Sequence, residues 1–323
     1  MGPARRAAGA SEEQGEHAPQ EVVSWHPRSM KCRTHVSQAL DPRGASEQTR
    51  PMSASPPPVQ DPRVLARRIE NAQAEQIDRT PISSRQGVPA LRVAGGRALY
   101  LGPRSPFSAA VGVGLDGMVG LAELDRIEEL LGQGGGAVRI ELNPFSEPSL
   151  AAKLGARGYR VERFLQVWFR APAPVPPPPV AGVEVRPLRP GEERRWAELF
   201  FLSYLGRPAS SELELSGGLG IVRTPGNTCF LALQNGEPRG VGVVSVTDGV
   251  ALLSADGVVP LFRGQGLQLA LIHARMAWAA ERGADVVTAS TEPATASQRS
   301  YEKAGFRCAY PKLVMVRPSL ASY

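Results

Sequence analysis

The chain has 323 residues, 42% of them hydrophobic, and a net charge of +6 from 37 Lys and Arg against 31 Asp and Glu. That length suits about two ordinary domains of roughly 100–200 residues, and so slight and scattered a basic excess excludes a nucleic-acid face. No apolar run approaches the roughly 18 residues of a membrane helix, and Cys32, Cys229 and Cys308 are too few for a disulfide framework, so a cytoplasmic protein is expected.

Residues 1–60 carry few large apolar residues and no sustained period, which predicts a disordered tail. Patterning begins after Met52, which makes Met52 the expected translation start. Residues 61–170 form one expected domain. APAPVPPPPVAG, residues 171–182, is too rich in proline for helix or central strand and is read as a stiff linker to a second domain, residues 183–323.

The two domains share a pattern. PSLAAKLGARGYRVERFLQVWFR, from Pro148, and ATASQRSYEKAGFRCAYPKLVMVR, from Ala294, each give a short helix, then Gly-aromatic-Arg, then alternating apolar residues. Each also follows a strand that reads as buried, AVRIEL and DVVTAS. A duplicated fold is expected.

In the second domain VEVRPL predicts a strand, and GEERRWAELFFLSYL a helix with Trp196, Leu199, Phe200 and Leu205 near one face. TCFLALQNGEPRGVGVVSV predicts a hairpin turning at Asn235-Gly236. VALLSADGVV predicts the next strand, followed by a helix from Leu267 to about Arg282 with Leu267, Ala270, Leu271, Ala274 and Trp278 toward the sheet. A strand at 285–290, a helix at 296–304 and two closing strands complete the pattern.

Arg263-Gly264-Gln265-Gly266 falls between a predicted strand and the start of a helix. Glycine permits close approach of backbone to ligand, and a helix N-terminus offers unpaired N–H groups and about half a positive charge, which suits a pyrophosphate. The Walker loop and the dinucleotide fingerprint do not fit, because the loop has no Gly-Lys-Ser/Thr and residue 269 is Leu.

Together with SYEKAGF at Ser300–Phe306, this order of elements resembles the GNAT acetyltransferase superfamily over roughly residues 183–317. The resemblance implies a mixed α/β fold, a central β-sheet flanked by helices, here as two similar domains in tandem. It implies acetyl-CoA as co-substrate, its pyrophosphate cradled by the amides of Gln265, Gly266, Leu267 and Gln268. Arg263 and Gly264 would shape the loop, Gly257 and Val258 would pair with the pantetheine arm, and Ser297 would lie near it. Tyr301 matches the general acid that protonates the leaving thiolate. The chain departs from the family at Gln268, where Gly or Ala is usual, and at Ala294, where many members have Asn.

A phenol of pKa about 10 holds its proton at pH 7, which suits Tyr301 to that role. An alkyl ammonium costs roughly 4–5 kcal/mol to deprotonate at that pH, so a base is wanted, and Asp256 and Glu292 are the candidates. His17, His26 and His35 lie in the tail and only His273 elsewhere, which argues against a Ser-His-Asp hydrolase; no metal site is expected. In the first domain Leu154 aligns with Tyr301 and Gly120 with Gly266, but Asp116 brings negative charge to the loop, so that copy is expected to be degenerate. The expected activity is acetyl transfer to a primary amine of a small molecule or a protein. The alternatives are a larger acyl-CoA donor and a catalytically silent tandem scaffold.

Overall fold

Asp61 opens the first helix by accepting from the Arg63 N–H at 2.8 Å, with Pro62 at the first helical position, where its missing N–H costs nothing. From there the structure, a computed structural model, describes residues 61–81, 90–102, 105, 108–172, 180–209 and 211–318. The expected tail, the Met52 start and most of the proline-rich linker lie outside the described residues.

The first half runs α1 (Pro62–Asp78), β1 (Leu91–Val93), β2 (Gly96–Leu99), β3 (Ala109–Val111), α2 (Leu121–Leu131), β4 (Val138–Leu142), α3 (Leu150–Ala156) and β5 (Arg160–Arg170). The second half runs β6 (Val183–Pro187), α4 (Glu193–Leu205), α5 (Glu212–Arg223), β7 (Asn227–Gln234), β8 (Glu237–Thr247) and β9 (Val250–Val258). It continues through α6 (Leu267–Ala280), β10 (Val286–Thr291), α7 (Ala296–Lys303) and β11 (Arg307–Arg317). From β1 to β5 the first half repeats the element order of β7 to β11. Gly158 and Gly305, which end matching helices, hold φ of 80° and 79°.

All eleven strands form one mixed sheet, in the order β1-β2-β3-β4-β11-β5-β10-β9-β8-β7-β6. The two halves flanking residues 171–182 therefore trade their last strands. β5 of the first half pairs with β10, and β11 of the second half pairs with β4, while β5 and β11 lie antiparallel against each other. β11 is a single 11-residue strand in place of the two closing strands that the pattern predicts. Pro311 and the bulge at Ala309 sit where β11 is flanked by β5 alone, before β4 joins at Leu313.

Strand alternation divides the second-half core into two layers. Phe230, Ala232, Val244, Ala251 and Leu253 face α6, meeting Leu267, Leu271, Ile272 and Met276. Cys229, Leu231, Val241 and Val243 face α4, meeting Trp196, Leu199 and Phe200. Leu205, expected on the buried face of α4, is 49% exposed at the helix end. On α6 the buried stripe is Leu267, Leu271, Ile272, Met276 and Ala279, with Ala270, Ala274 and Trp278 only half-buried beside it. α1 lies on the α4 face, where Gln76 donates to Asn227, Ser245 and Ser254 at 3.0–3.1 Å, and so ties first-half helix to second-half strands.

The traded strand β11 is fixed in register by a buried polar cluster. Lys312 Nζ, fully buried, meets Glu70 at 2.9 Å, Glu141 at 2.8 Å and Gln73 at 2.8 Å, and Tyr310 OH donates to Glu70 at 2.8 Å. Burial alone would lower the Lys312 pKa, but Glu141 and Glu70 outweigh it and raise it, so the ammonium is kept. Removing the Lys312 ammonium would leave two buried carboxylates without their cation, a loss of about 3–5 kcal/mol.

Candidate active site

β9 and β10 run parallel but pair only over Val250–Leu252 with Val286–Thr288. Beyond Leu252 the strands separate, and a wedge opens at their C-terminal ends, the usual ligand position in parallel sheets. The cause lies in β9. Val241 faces Gly257 while Val243 faces Ser254, so β9 carries an extra residue at Ala255–Asp256, and Ala255 takes a φ of 47°. β10 instead follows β5 as far as Thr291 opposite Gln166.

Arg263–Gly266 sits at the mouth of this wedge. Gly264 and Gly266 hold φ of 79° and 86°, where glycine is the residue without strain. Gly266 is the N-cap of α6, and no side chain among the described residues caps that helix, so the first-turn N–H groups have no partner among them. A Cβ on Gly264 would meet nothing within 4 Å, and one on Gly266 only the Val180 methyls at 3.5 and 3.6 Å. Arg263 turns inward, donating to Val258 O at 3.1 Å and Ser203 O at 2.8 Å, and so staples the loop to β9 and α4. Gln265 accepts from Gln234 at 2.7 Å. Open space, an uncapped helix end and a free strand edge together fit a pyrophosphate with an extended arm.

Other residues of the expected cofactor set are placed as follows. Gly257 pairs with Val241 on β8 and is packed so closely by α4 that a Cβ would lie 2.6 Å from Ser203 Oγ. Val258 and Leu267 are buried, Val258 at the end of β9 and Leu267 in the core below the loop. Ser297 is half-buried in the first turn of α7. Gln268 does not reach toward the loop; its side-chain amide donates to Asp256 Oδ2.

Asp256 is the hub of the wedge floor. Its Oδ2 accepts from Gln268, accepts from Tyr301 OH at 3.2 Å and lies 3.3 Å from Arg275 Nη2. Oδ1 has no hydrogen-bond partner among the described residues and is not a buried atom. Arg275, fully buried on α6, also donates to Leu271 O and Val243 O at 3.0 Å, and Gly242 makes room for its guanidinium, since a Cβ there would lie 2.9 Å away. Tyr301 is 1% exposed, packed edge-on against Phe306 at 5.0 Å. Burial, then the charge of Asp256, raises its pKa well above 10. A buried arginine on a helix that otherwise reads as apolar is the signal that sequence reasoning passed over.

Glu292 follows directly on β10, exposed at the rim, with no side-chain partner among the described residues. Across from it stands Tyr204, at the C-terminal end of α4, its ring 5.3 Å from Phe200. The residue is 65% exposed. Crowding raises its phenol pKa first, the negative Asp256 raises it further, Arg163 opposes this and Glu292 adds to it. Charges from β9, β5 and the end of β10 thus all act on one phenol at the end of α4. The segment 206–226, for which the sequence pattern predicts no element, contains α5. Ser211 caps it, accepting from the Glu214 N–H at 3.2 Å, and Gly218 lets it lie against Ala197 and Phe201 of α4. Ser211-x-x-Glu214 was the legible start signal; three glycines hid it.

Residues 192–306, a little over a third of the chain, match the family model described as Acetyltransferase (GNAT) family. None of the curated proteins matches at a significant level. Among solved structures, a GCN5-related N-acetyltransferase from Kribbella flavida superposes with a TM-score of 0.59 at 19% identity, covering 80% of this chain and 98% of that one. A GCN5-related N-acetyltransferase from Sphaerobacter thermophilus gives a TM-score of 0.50 at 23% identity, covering 61% of this chain and 66% of that one. Residues 192–306 thus carry the match to a GNAT-family domain, and the fold is similar to that of these acetyltransferase structures.

Proposed function

We propose that the chain is an acetyl-CoA-dependent N-acetyltransferase that moves an acetyl group directly to a primary amine in the wedge between β9 and β10. The observation that carries this reading is the uncapped, glycine-opened start of α6 beside the free edge of β9. The family match over the same residues supports it.

Gln265, Gly266, Leu267 and Gln268 would hold the pyrophosphate by backbone N–H groups, with Arg263 and Gly264 shaping the loop. The edge at Gly257–Val258 would take the pantetheine arm, and Ser297 would flank it. Acetyl-CoA, when bound, supplies the thioester whose C–S bond breaks as the N–C bond to the amine forms. The amine's proton leaves to Asp256 Oδ1, the one oxygen of that carboxylate without a donor, or to Glu292 at the rim. Tyr301, kept protonated by burial, gives its phenolic proton to the departing sulfur. Arg275 and Gln268 hold Asp256 in place for both steps. The first half, in which Leu154 stands for Tyr301, would be a degenerate copy that has lost the cofactor. A larger acyl-CoA or a protein amine fits the same steps.

The test is thermal unfolding with and without saturating acetyl-CoA, followed by thiol release against pooled amines. The expected outcome is a raised melting temperature and thiol release dependent on one class of amine. A melting curve that acetyl-CoA leaves unmoved would refute the reading; binding without turnover would favour a silent scaffold.

A further inference from the structure

β10 ends at Thr291 opposite Gln166, but β5 runs on through Leu165, Phe164 and Arg163 past the end of β10. This extension belongs to the first half of the chain, brought to the second half's wedge by the strand trade. Val167 packs against Leu65, Ala66 and Ile69 of α1, so by alternation Leu165 and Arg163 point to the same face, the one that also carries α4 and Tyr204.

Arg163 is a cation with spare capacity. Its one ion pair among the described residues is a 3.8 Å approach to Glu162, and Glu162 is already gripped by Arg139 through three hydrogen bonds of 3.0–3.2 Å. The other arginines near the wedge are engaged: Arg263 with Val258 and Ser203, Arg207 with Glu214 at 2.8 Å, and Arg275 with Asp256. Two carboxylates lie at the same end of the wedge: Glu292, just past the end of β10 and without a side-chain partner among the described residues, and Asp256 on β9, whose Oδ1 has none among them either. The wall on that face is apolar and open: Tyr204 is 65% exposed and Leu205 49%. A cation, two anions and exposed aromatic surface at one end of the wedge are complementary to a ligand carrying an amine, a carboxylate and an apolar side chain.

We infer that the acceptor is a free amino acid with an apolar side chain, its carboxylate held by Arg163 and its amine turned toward Asp256. The second half's specificity is then set by a strand of the first. This rests on the proposed acetyl transfer and adds to it the substrate class. The transfer balances as before: the amine nitrogen gains the acetyl carbon and loses a proton, and the thiolate leaves and is protonated.

The experiment uses the full chain and matched pairs that differ only in the carboxylate: phenylalanine with phenethylamine, leucine with isoamylamine, tyrosine with tyramine. Melting with acetyl-CoA is recorded alongside thiol release for each pair, in the wild type, Arg163→Gln and Arg163→Lys. The expected result is a preference for the carboxylated member. Arg163→Gln should lower kcat/KM for that member by about 10- to 100-fold, the factor for loss of a charge-assisted hydrogen bond. It should leave the acetyl-CoA shift intact, with Arg163→Lys recovering part of the loss. Equal use of both members, a preference that survives Arg163→Gln, or an acetyl-CoA shift with neither member consumed overturns the inference while leaving cofactor binding standing. A protein with no acetyl-CoA shift refutes the transfer reading itself, and the inference falls with it.

Discussion

The chain contains two wedges built from matching elements, one between β9 and β10 and one between β3 and β4, and they differ in what fills them. In the second half no hydrogen bond among the described residues joins the 259–266 loop to the segment after β10. In the first half the matching pieces are riveted together. The Glu147 N–H donates to Gly114 O at 2.8 Å, Ser146 Oγ to Val113 O at 2.8 Å and Lys153 Nζ to Val119 O at 2.6 Å. The helix ends differ in the same way. Gly266 is uncapped, whereas the Gly120 N–H donates to Glu123 Oε2 at 2.6 Å, so a carboxylate already occupies the position an anion would take. Asp116, expected to repel a phosphate, is instead paired with Arg67. One backbone plan yields a receptive cleft or a sealed one according to a few side chains at the loop.

Exchanging the loops' defining residues should break this contrast most severely. Gly266→Val forces a β-branched residue to φ of 86° and places methyls where the ligand would approach. It should abolish the acetyl-CoA melting shift and lower activity more than about 100-fold, the strain alone costing about 1–3 kcal/mol. Gly120→Ala, at an ordinary φ of −75°, should change stability by no more than about 0.5 kcal/mol and leave the shift untouched.

The aligned pair Tyr301 and Leu154 sharpens the contrast at the next level. Tyr301→Phe should lower kcat by about 10²- to 10⁴-fold with little effect on acetyl-CoA binding. Leu154→Ala should lower unfolding free energy by about 2–5 kcal/mol and leave kcat/KM alone. Because the Tyr301 phenol titrates well above 10, the wild-type rate should climb with pH from 6 to 8 as the amine loses its proton, with no fall attributable to Tyr301.

Gln268→Ala is a smaller probe. Its amide is bonded to Asp256 and not aimed at the loop, so kcat should fall about 3- to 10-fold, as one hydrogen bond of about 1 kcal/mol predicts, while the acetyl-CoA Kd holds. A weakened Kd with kcat preserved would place the side chain on the cofactor instead. The smallest effect belongs to the sealed wedge. Ser149 and Lys153 hold Glu147 at a pKa of about 2, below its ordinary 4.5. Its contribution is complete above pH 4.5 and is lost as pH falls toward 2, so Glu147→Gln should flatten the acid limb of a melting-temperature profile there.

Much of this was legible in sequence because it is local. The glycine loop, the helix after it, the Asn235-Gly236 hairpin and the matching glycines at 158 and 305 follow from positions a few residues apart. The bulge at Ala255–Asp256, the buried Arg275 and the strand trade do not. A bulge is defined by the register of a partner strand, and Arg275 is explained only by Gly242 and Asp256 on other strands. The similarity of the two halves suggested two sheets, and no periodicity within a strand says which neighbour it will choose. Asp256 was reachable as a carboxylate near the cleft, but its bond to Tyr301 links residues 45 apart.

The strand trade also constrains how the molecule can be made. β5 has β10 on one side and β11 on the other, so the first half emerges from the ribosome well before either neighbour of its own last strand exists. Until β11 arrives, Glu70 and Glu141 lack the Lys312 ammonium that bridges them, and one edge of β4 stays bare. Folding of the first half is therefore held back until synthesis of the second is nearly done, and the long sequence separations of these pairings predict slow folding. A chain cut at residues 171–182 would yield two pieces with open sheet edges that attract each other, or another copy, and not two independent proteins.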